Sequence, residues 1–136
     1  MIDDVAPRQV WEALMSNPDA FLCDVRTVAE WQFVGLPDLS QTGKRPVMIE
    51  WQVFPSMQPN PDFMAALQAA GLTPEQHVYF VCRSGGRSMA AARLARDHGF
   101  HHVYNVKDGF EGPHDQRGQR GHVAGWKHDG PPWSQN

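Results

Sequence analysis

The chain has 136 residues, 41% of them hydrophobic, with twelve Lys plus Arg against fifteen Asp plus Glu for a net charge of −3, and a length of this kind fits one domain over residues 1–136. That balance lacks the basic excess of a nucleic-acid binder, and no apolar stretch approaches the ~20 residues that span a bilayer. The acidic start Met1-Ile2-Asp3-Asp4 is unlike a secretory signal, so a cytoplasmic protein touching neither membrane nor nucleic acid is expected, and its two cysteines, Cys23 and Cys82, are too few for a disulfide framework or a four-thiolate zinc site.

In chain order, Val10, Trp11, Leu14 and Met15 share one 3.6-period face and predict a helix from Pro7 to Met15, stopped by Asn17-Pro18. Ala20 to Val25 is a short apolar run without alternation, the pattern of a strand covered on both faces. Thr27 with Glu30 three residues later forms a capping box before a short helix that ends at Gly35. Leu36 to Pro46 has the composition of a loop, and Val47 to Trp51 is a candidate strand. Asn60-Pro61 opens a helix carrying Phe63, Met64, Leu67 and Ala70, which Gly71 stops. Val78 to Val81 is the clearest strand, the alanine-rich run Met89 to His98 the clearest helix, and Val103 to Val106 a last short strand. Alternation of this kind predicts an α/β fold with right-handed crossovers, a parallel sheet, and ligands at the carboxyl ends of the strands.

One segment carries chemistry. Cys82-Arg83-Ser84-Gly85-Gly86-Arg87-Ser88 sets a cysteine at the end of a strand, then a tight turn, then a helix start. Backbone N–H groups in such a turn converge on one centre, and the helix terminus adds partial positive charge, which makes an anion cradle that favours a thiolate. Gly85 and Gly86 let the chain curl without a Cβ in the way. Cys82 is the candidate nucleophile, and Arg83 is placed to meet an oxyanion directly. Arg87 has two readings that the sequence leaves open, contact with substrate or pairing with a buried carboxylate such as Asp24.

These residues resemble the active-site loop of rhodanese-like sulfurtransferases. Asp24-Val25-Arg26-Thr27 with Glu30-Trp31 is similar to that family's upstream motif, and Ala124-Gly125-Trp126-Lys127 through Gly130-Pro131-Pro132-Trp133 to its ending. The chain departs from the pattern in an elaborated segment from Leu36 to Pro59, and in Gly109-Phe110-Glu111-Gly112 followed by an inserted loop at about 113–121. The resemblance implies a rhodanese-like, five-stranded parallel sheet flanked by helices on both faces. It implies an enzyme of the thiosulfate sulfurtransferase type, in which Cys82 takes a sulfane sulfur from a small anionic donor, becomes a persulfide and passes the sulfur to a thiol, cyanide or a protein. It requires neither metal nor organic cofactor. Substrate contacts fall to Arg83, Ser84, Gly85, Gly86, Arg87 and Ser88, with Asp24 and Arg26 behind them. The alternatives are a protein-to-protein persulfide carrier or a noncatalytic binding module of the same fold. Phosphatase or arsenate chemistry is disfavoured because the related phosphatase loop is C-x5-R, whereas four residues separate Cys82 from Arg87.

Other residues carry weaker signals. Cys23, inside an apolar strand, reads as core, against the sharper idea that it resolves an oxidised Cys82. The seven histidines match no ligand spacing, so no metal site is expected. Trp51, Phe54 and Met57 are candidates for pocket lining or for plain core, and Arg117 and Arg120 read as a solvated loop. Nothing in the sequence sets an oligomeric state.

Overall fold

The computed structural model describes residues 2–135. In chain order its elements are β1 (Asp3–Val5), α1 (Pro7–Ser16), β2 (Ala20–Asp24), α2 (Val28–Phe33), β3 (Leu36–Pro37), β4 (Val47–Met48), β5 (Gln52–Val53), β6 (Gln58–Pro59), α3 (Phe63–Ala69), β7 (His77–Val81), α4 (Gly86–Asp97), β8 (His102–Val106), α5 (Trp126–Asp129) and β9 (Trp133–Ser134). Five of these strands form one parallel sheet in the order β1-β8-β7-β2-β4. Helices cover both faces, the α/β architecture the sequence predicts. Antiparallel pairs β3/β9 and β5/β6 lie outside it.

Two apolar layers follow from the strand alternation. Cys23, Phe80, Cys82 and Val103 face α3 and α4 in one layer, with Phe63, Leu67 and Ala92. Leu22, Tyr79, Val81 and Val106 face α1 in the other, where Val10, Leu14 and Trp126 close it. β2 and β7 are buried on both sides, which is why their sequences show no polar alternation. Lys44 joins the loop after β3 to the end of α1, its ammonium donating to the carbonyls of Leu14, Asn17 and Ala20 at 2.8, 2.7 and 2.6 Å. One of these, the Leu14 carbonyl, belongs to the last turn of α1, where carbonyls lack intrahelical donors.

Several boundaries differ from the sequence expectation for identifiable reasons. β1 has no counterpart in the sequence expectation, because a three-residue strand with two aspartates carries almost no strand signal; it forms as an edge, paired in register with Tyr104, Asn105 and Val106. β4 stops at Met48, and the chain turns into the β5/β6 hairpin in place of the longer strand. The α4 helix begins at Gly86, three residues before the alanine-rich run, because Gly85 takes a left-handed conformation (φ 115°) and the polar loop residues fill the first turn. Residues 113–121 form a self-braced turn, with Asp115 Oδ1 accepting from the Arg117 and Gln119 amides at 2.8 and 2.9 Å and Arg120 donating to the Gly112 carbonyl at 2.7 Å.

Candidate active site at Cys82

β7 ends at Val81, so Cys82 lies at the carboxyl edge of the sheet, flanked by β2 and β8. The loop it opens is held from behind by the turn after β8. Phe110 N–H donates to the Cys82 carbonyl at 2.7 Å, and the Glu111 and Gly112 amides donate to the Arg83 carbonyl at 3.0 and 3.2 Å. This close backbone approach is why Gly109 is a glycine: a Cβ there would lie 2.6 Å from the Arg83 and Cys82 carbonyl groups, and its φ is +68°.

The thiol is 1% exposed and forms part of the floor of a cleft of about 370 Å³. Gly85 N–H donates to Sγ at 3.1 Å, and the Ser88 hydroxyl lies 3.2 Å from it. Helix geometry leaves the amides of the first turn of α4, from Gly86 to Ser88, without intrahelical acceptors beside this sulfur. Arg83, Ser84, Gly86 and Arg87 line the cleft with Glu30, Gln52 and Met57. Of the loop residues singled out by sequence, Gly85 and Ser88 therefore hold the sulfur from below, and the others face the space where a ligand would sit.

Asp24 and Arg26 are brought together but not to the cleft. Both side chains are fully buried and pair through Arg26 Nη2 to Asp24 Oδ2 at 2.7 Å and Nε to Oδ1 at 3.0 Å. Arg26 also donates to the Gly35 carbonyl at 2.8 Å and lies 4.3 Å above the Phe110 ring, so it fastens the ends of α2 and β8 beneath the loop. Asp24 is thus engaged by its near neighbour, and the carboxylate that Arg87 meets is Glu30, at 2.7 Å from Nη1 and 3.0 Å from Nη2.

Glu30 does two things. It completes the capping box with Thr27 that the sequence shows, and its carboxylate forms part of the cleft wall, a role that the spacing of three gives no sign of. Burial pushes its carboxyl up, but the hydrogen bonds and charge of Arg87, with the Thr27 cap, outweigh that and leave it below its ordinary value of 4.5. Because the folded value is depressed, the stabilisation is fully present above pH 4.5 and is lost as pH falls through the depressed value. Glu30→Gln, which keeps the capping geometry, is expected to cost about 1 kcal/mol at neutral pH and to flatten the decline of Tm between about pH 5 and pH 3; thermal melts of both proteins across that range check it.

Trp51, a candidate for pocket lining or for plain core, lies outside the cleft and packs against the core. Its ring meets Phe63 edge-on at 5.0 Å between centroids, and the chain alternation turns the next residue, Gln52, to the cleft instead. Met57 lines the cleft, and Phe54 is exposed nearby on the β5/β6 turn. Cys23 is completely buried, and burial, with the Asp24 charge beside it, holds its thiol well above 9.0, the chemistry of an inert core residue. Among the described residues no group of three or more His, Cys, Asp or Glu side chains is placed to hold a metal, and no helix is long and apolar enough to cross a membrane.

Residues 3–136 match the family described as the STR4 middle domain. The crystal structure of Rv0390 from M. tuberculosis has 46% sequence identity and a TM-score of 0.89, with 98% of each chain covered. The polysulfide-sulfur transferase homodimer from Wolinella succinogenes has 26% identity and a TM-score of 0.60, covering 79% of this chain and 69% of that one. Rhodanese-like domain-containing protein 4, a chloroplastic protein of Arabidopsis thaliana, is 28% identical over 127 residues, which is 93% of this chain and 24% of the plant protein. A match over nearly the whole length, on a parallel sheet with a cysteine loop at its carboxyl edge, makes this chain a member of the STR4 middle-domain family with a rhodanese-like fold.

Proposed function

We propose that this protein is a sulfurtransferase that carries a sulfane sulfur as a persulfide on Cys82. The Cys82 thiolate attacks the outer sulfur of a small anionic donor such as thiosulfate; a new S–S bond forms, the donor's S–S bond breaks, and sulfite leaves with the bonding pair. A nucleophilic acceptor, a thiol, cyanide or a protein cysteine, then takes the outer sulfur and releases the thiolate. The observation that carries this reading is the position of Sγ at the floor of the cleft, 3.1 Å from the Gly85 amide and beside the first turn of α4, where a sulfur anion meets fixed donors. A rhodanese-like fold supports sulfurtransferase-type chemistry. Phosphate chemistry is disfavoured by the short loop and by Arg87, whose guanidinium is turned onto Glu30. Reaction through a reduced Cys82 also favours a cytoplasmic setting.

The likeness to the Wolinella succinogenes polysulfide-sulfur transferase supports polysulfide as a second donor. Intact-mass spectrometry after incubation with thiosulfate or polysulfide tests the proposal. A gain of one sulfur atom on the peptide bearing Cys82 is expected, and no gain with either donor overturns the mechanism. Arg83 is exposed at the cleft wall, so Arg83→Ala is expected to raise KM for thiosulfate by about tenfold with little change in Tm. Steady-state kinetics check this, and an unchanged KM rejects contact between Arg83 and the donor.

A further inference from the structure

The cleft over Cys82 continues outward onto apolar surface that a small inorganic donor has no use for. Gln52 and Met57 of the β5/β6 hairpin line the cleft, and Val28, Val53, Phe54 and Met57 are each between 37% and 52% exposed. These four side chains belong to one patch. Glu50 Oε2 accepts from the Val28 and Phe54 amides at 3.0 and 3.3 Å, which fastens the start of α2 to the hairpin turn, and the Met57 amide donates to the Val53 carbonyl at 2.7 Å. Contiguous apolar surface beside a reactive group marks a place that another molecule covers.

Two details of the hairpin point the same way. Met57 has a left-handed backbone, with φ of 59°, a conformation that asparagine and glycine adopt more readily than a long side chain does. The turn itself has no need of a methionine, so what the strain retains is the thioether chain in the cleft wall. Gln52 has no side-chain hydrogen bond among the described residues, and its amide offers the cleft one acceptor and two donors, the complement of a peptide backbone. On the cysteine-loop side, Arg83 is exposed and among the described residues has no ion-pair partner, whereas Arg87 is neutralised by Glu30. The cleft therefore presents one uncompensated cation, one free amide and an apolar rim.

Thiosulfate and cyanide are too small to cover that rim. A cysteine lying flat on a folded protein surface cannot reach Sγ either, because Cys82 is 1% exposed at the cleft floor. We propose that the sulfur acceptor is a protein cysteine carried on a projecting loop or chain end, with an acidic neighbour that meets Arg83 and apolar neighbours that cover Met57 and Phe54. This rests on the reading of Cys82 as a persulfide carrier. The acceptor thiolate attacks the outer sulfur of that persulfide; the new S–S bond forms on the acceptor, the bond from Cys82 Sγ to the outer sulfur breaks, and Cys82 leaves as thiolate with the bonding pair.

The probe is a short capped peptide with a central cysteine, an aspartate before it and two leucines after it; its control carries serines for the leucines. Fluorescence anisotropy with labelled forms of both, serine replacing the cysteine, reads docking on the full chain without any sulfur chemistry. The leucine peptide is expected to bind about tenfold more tightly than the control. Met57→Asn, which suits the left-handed backbone, and Phe54→Ser are each expected to erase most of that preference without lowering Tm. Equal affinity for the two peptides overturns the proposal, and so does a preference that survives in both variants or that falls only together with Tm. The second arm loads Cys82 with thiosulfate and follows discharge by intact mass: the cysteine peptide is expected to discharge it faster than glutathione, and the reverse order assigns the acceptor to small thiols and overturns the proposal. A protein that binds the leucine peptide as expected but never gains sulfur sinks the proposed function and leaves the docking surface standing.

Discussion

Cys82→Ser is expected to reduce sulfur transfer to background, a loss of roughly 10³-fold or more in kcat/KM, while shifting stability by no more than about 1 kcal/mol. The serine hydroxyl is close in size to the thiol and can keep the Gly85 amide and Ser88 as partners, so the loop has no reason to rearrange. It cannot carry sulfur, because an alkoxide is not available near neutral pH and an O–S bond does not serve as a persulfide. The paired measurement is sulfur-transfer kinetics with thermal unfolding. Activity retained in Cys82→Ser would place the chemistry elsewhere, and Cys23, buried with its thiol held neutral, is not equipped to replace it.

Gly109→Ala is expected to be strongly disruptive, costing about 3–4 kcal/mol and lowering Tm by roughly 10 °C or more. Two effects add. The added carbon would stand 2.6 Å from backbone atoms of Cys82 and Arg83, which are not flexible side-chain ends, and φ of +68° disfavours any residue with a Cβ. The loop carrying Cys82 would have to move away from the turn that anchors it through Phe110, Glu111 and Gly112. Gly86→Ala is the matched control. No atom lies within 4 Å of a Cβ there and the backbone is helical, so stability within about 1 kcal/mol of wild type is expected, with any effect confined to donor binding in the cleft. Thermal melts of the two variants check the contrast, and similar Tm values would show that the loop is not held by the turn after β8.

The two alanine substitutions also separate what local sequence reveals from what it hides. Both glycines of the cysteine loop read as conformational necessities, yet only Gly85 has a positive φ; Gly86 is an ordinary first-turn residue that leaves the cleft open. The glycine that the loop depends on sterically, Gly109, is 27 positions beyond Cys82 and meets it only when β7 and β8 lie side by side. Arg87 shows the same limit. By sequence Arg87 either contacts substrate or pairs with a buried carboxylate such as Asp24, but Asp24 is taken by an arginine two residues away, and Glu30 reaches Arg87 across 57 residues of chain.

What the sequence determined by itself is local or periodic. Apolar runs without alternation placed β2 and β7, a three-residue spacing placed the capping box of α2, and the order of cysteine, arginine and glycine between a strand and a helix placed the cysteine loop. Hydrogen-bonding periods and turn stereochemistry are properties of a few consecutive residues, so they are legible without a fold. Only the tertiary structure decided which carboxylate Arg87 meets, that Gln52 and not Trp51 faces the cleft, that Asp3–Val5 is an edge strand, and that Asp4 is joined through Asn105 and Ser88 to the sulfur. Each of these is a contact between segments far apart in the chain, fixed by sheet order and register, and side chains that meet only there leave no mark in the spacing of residues.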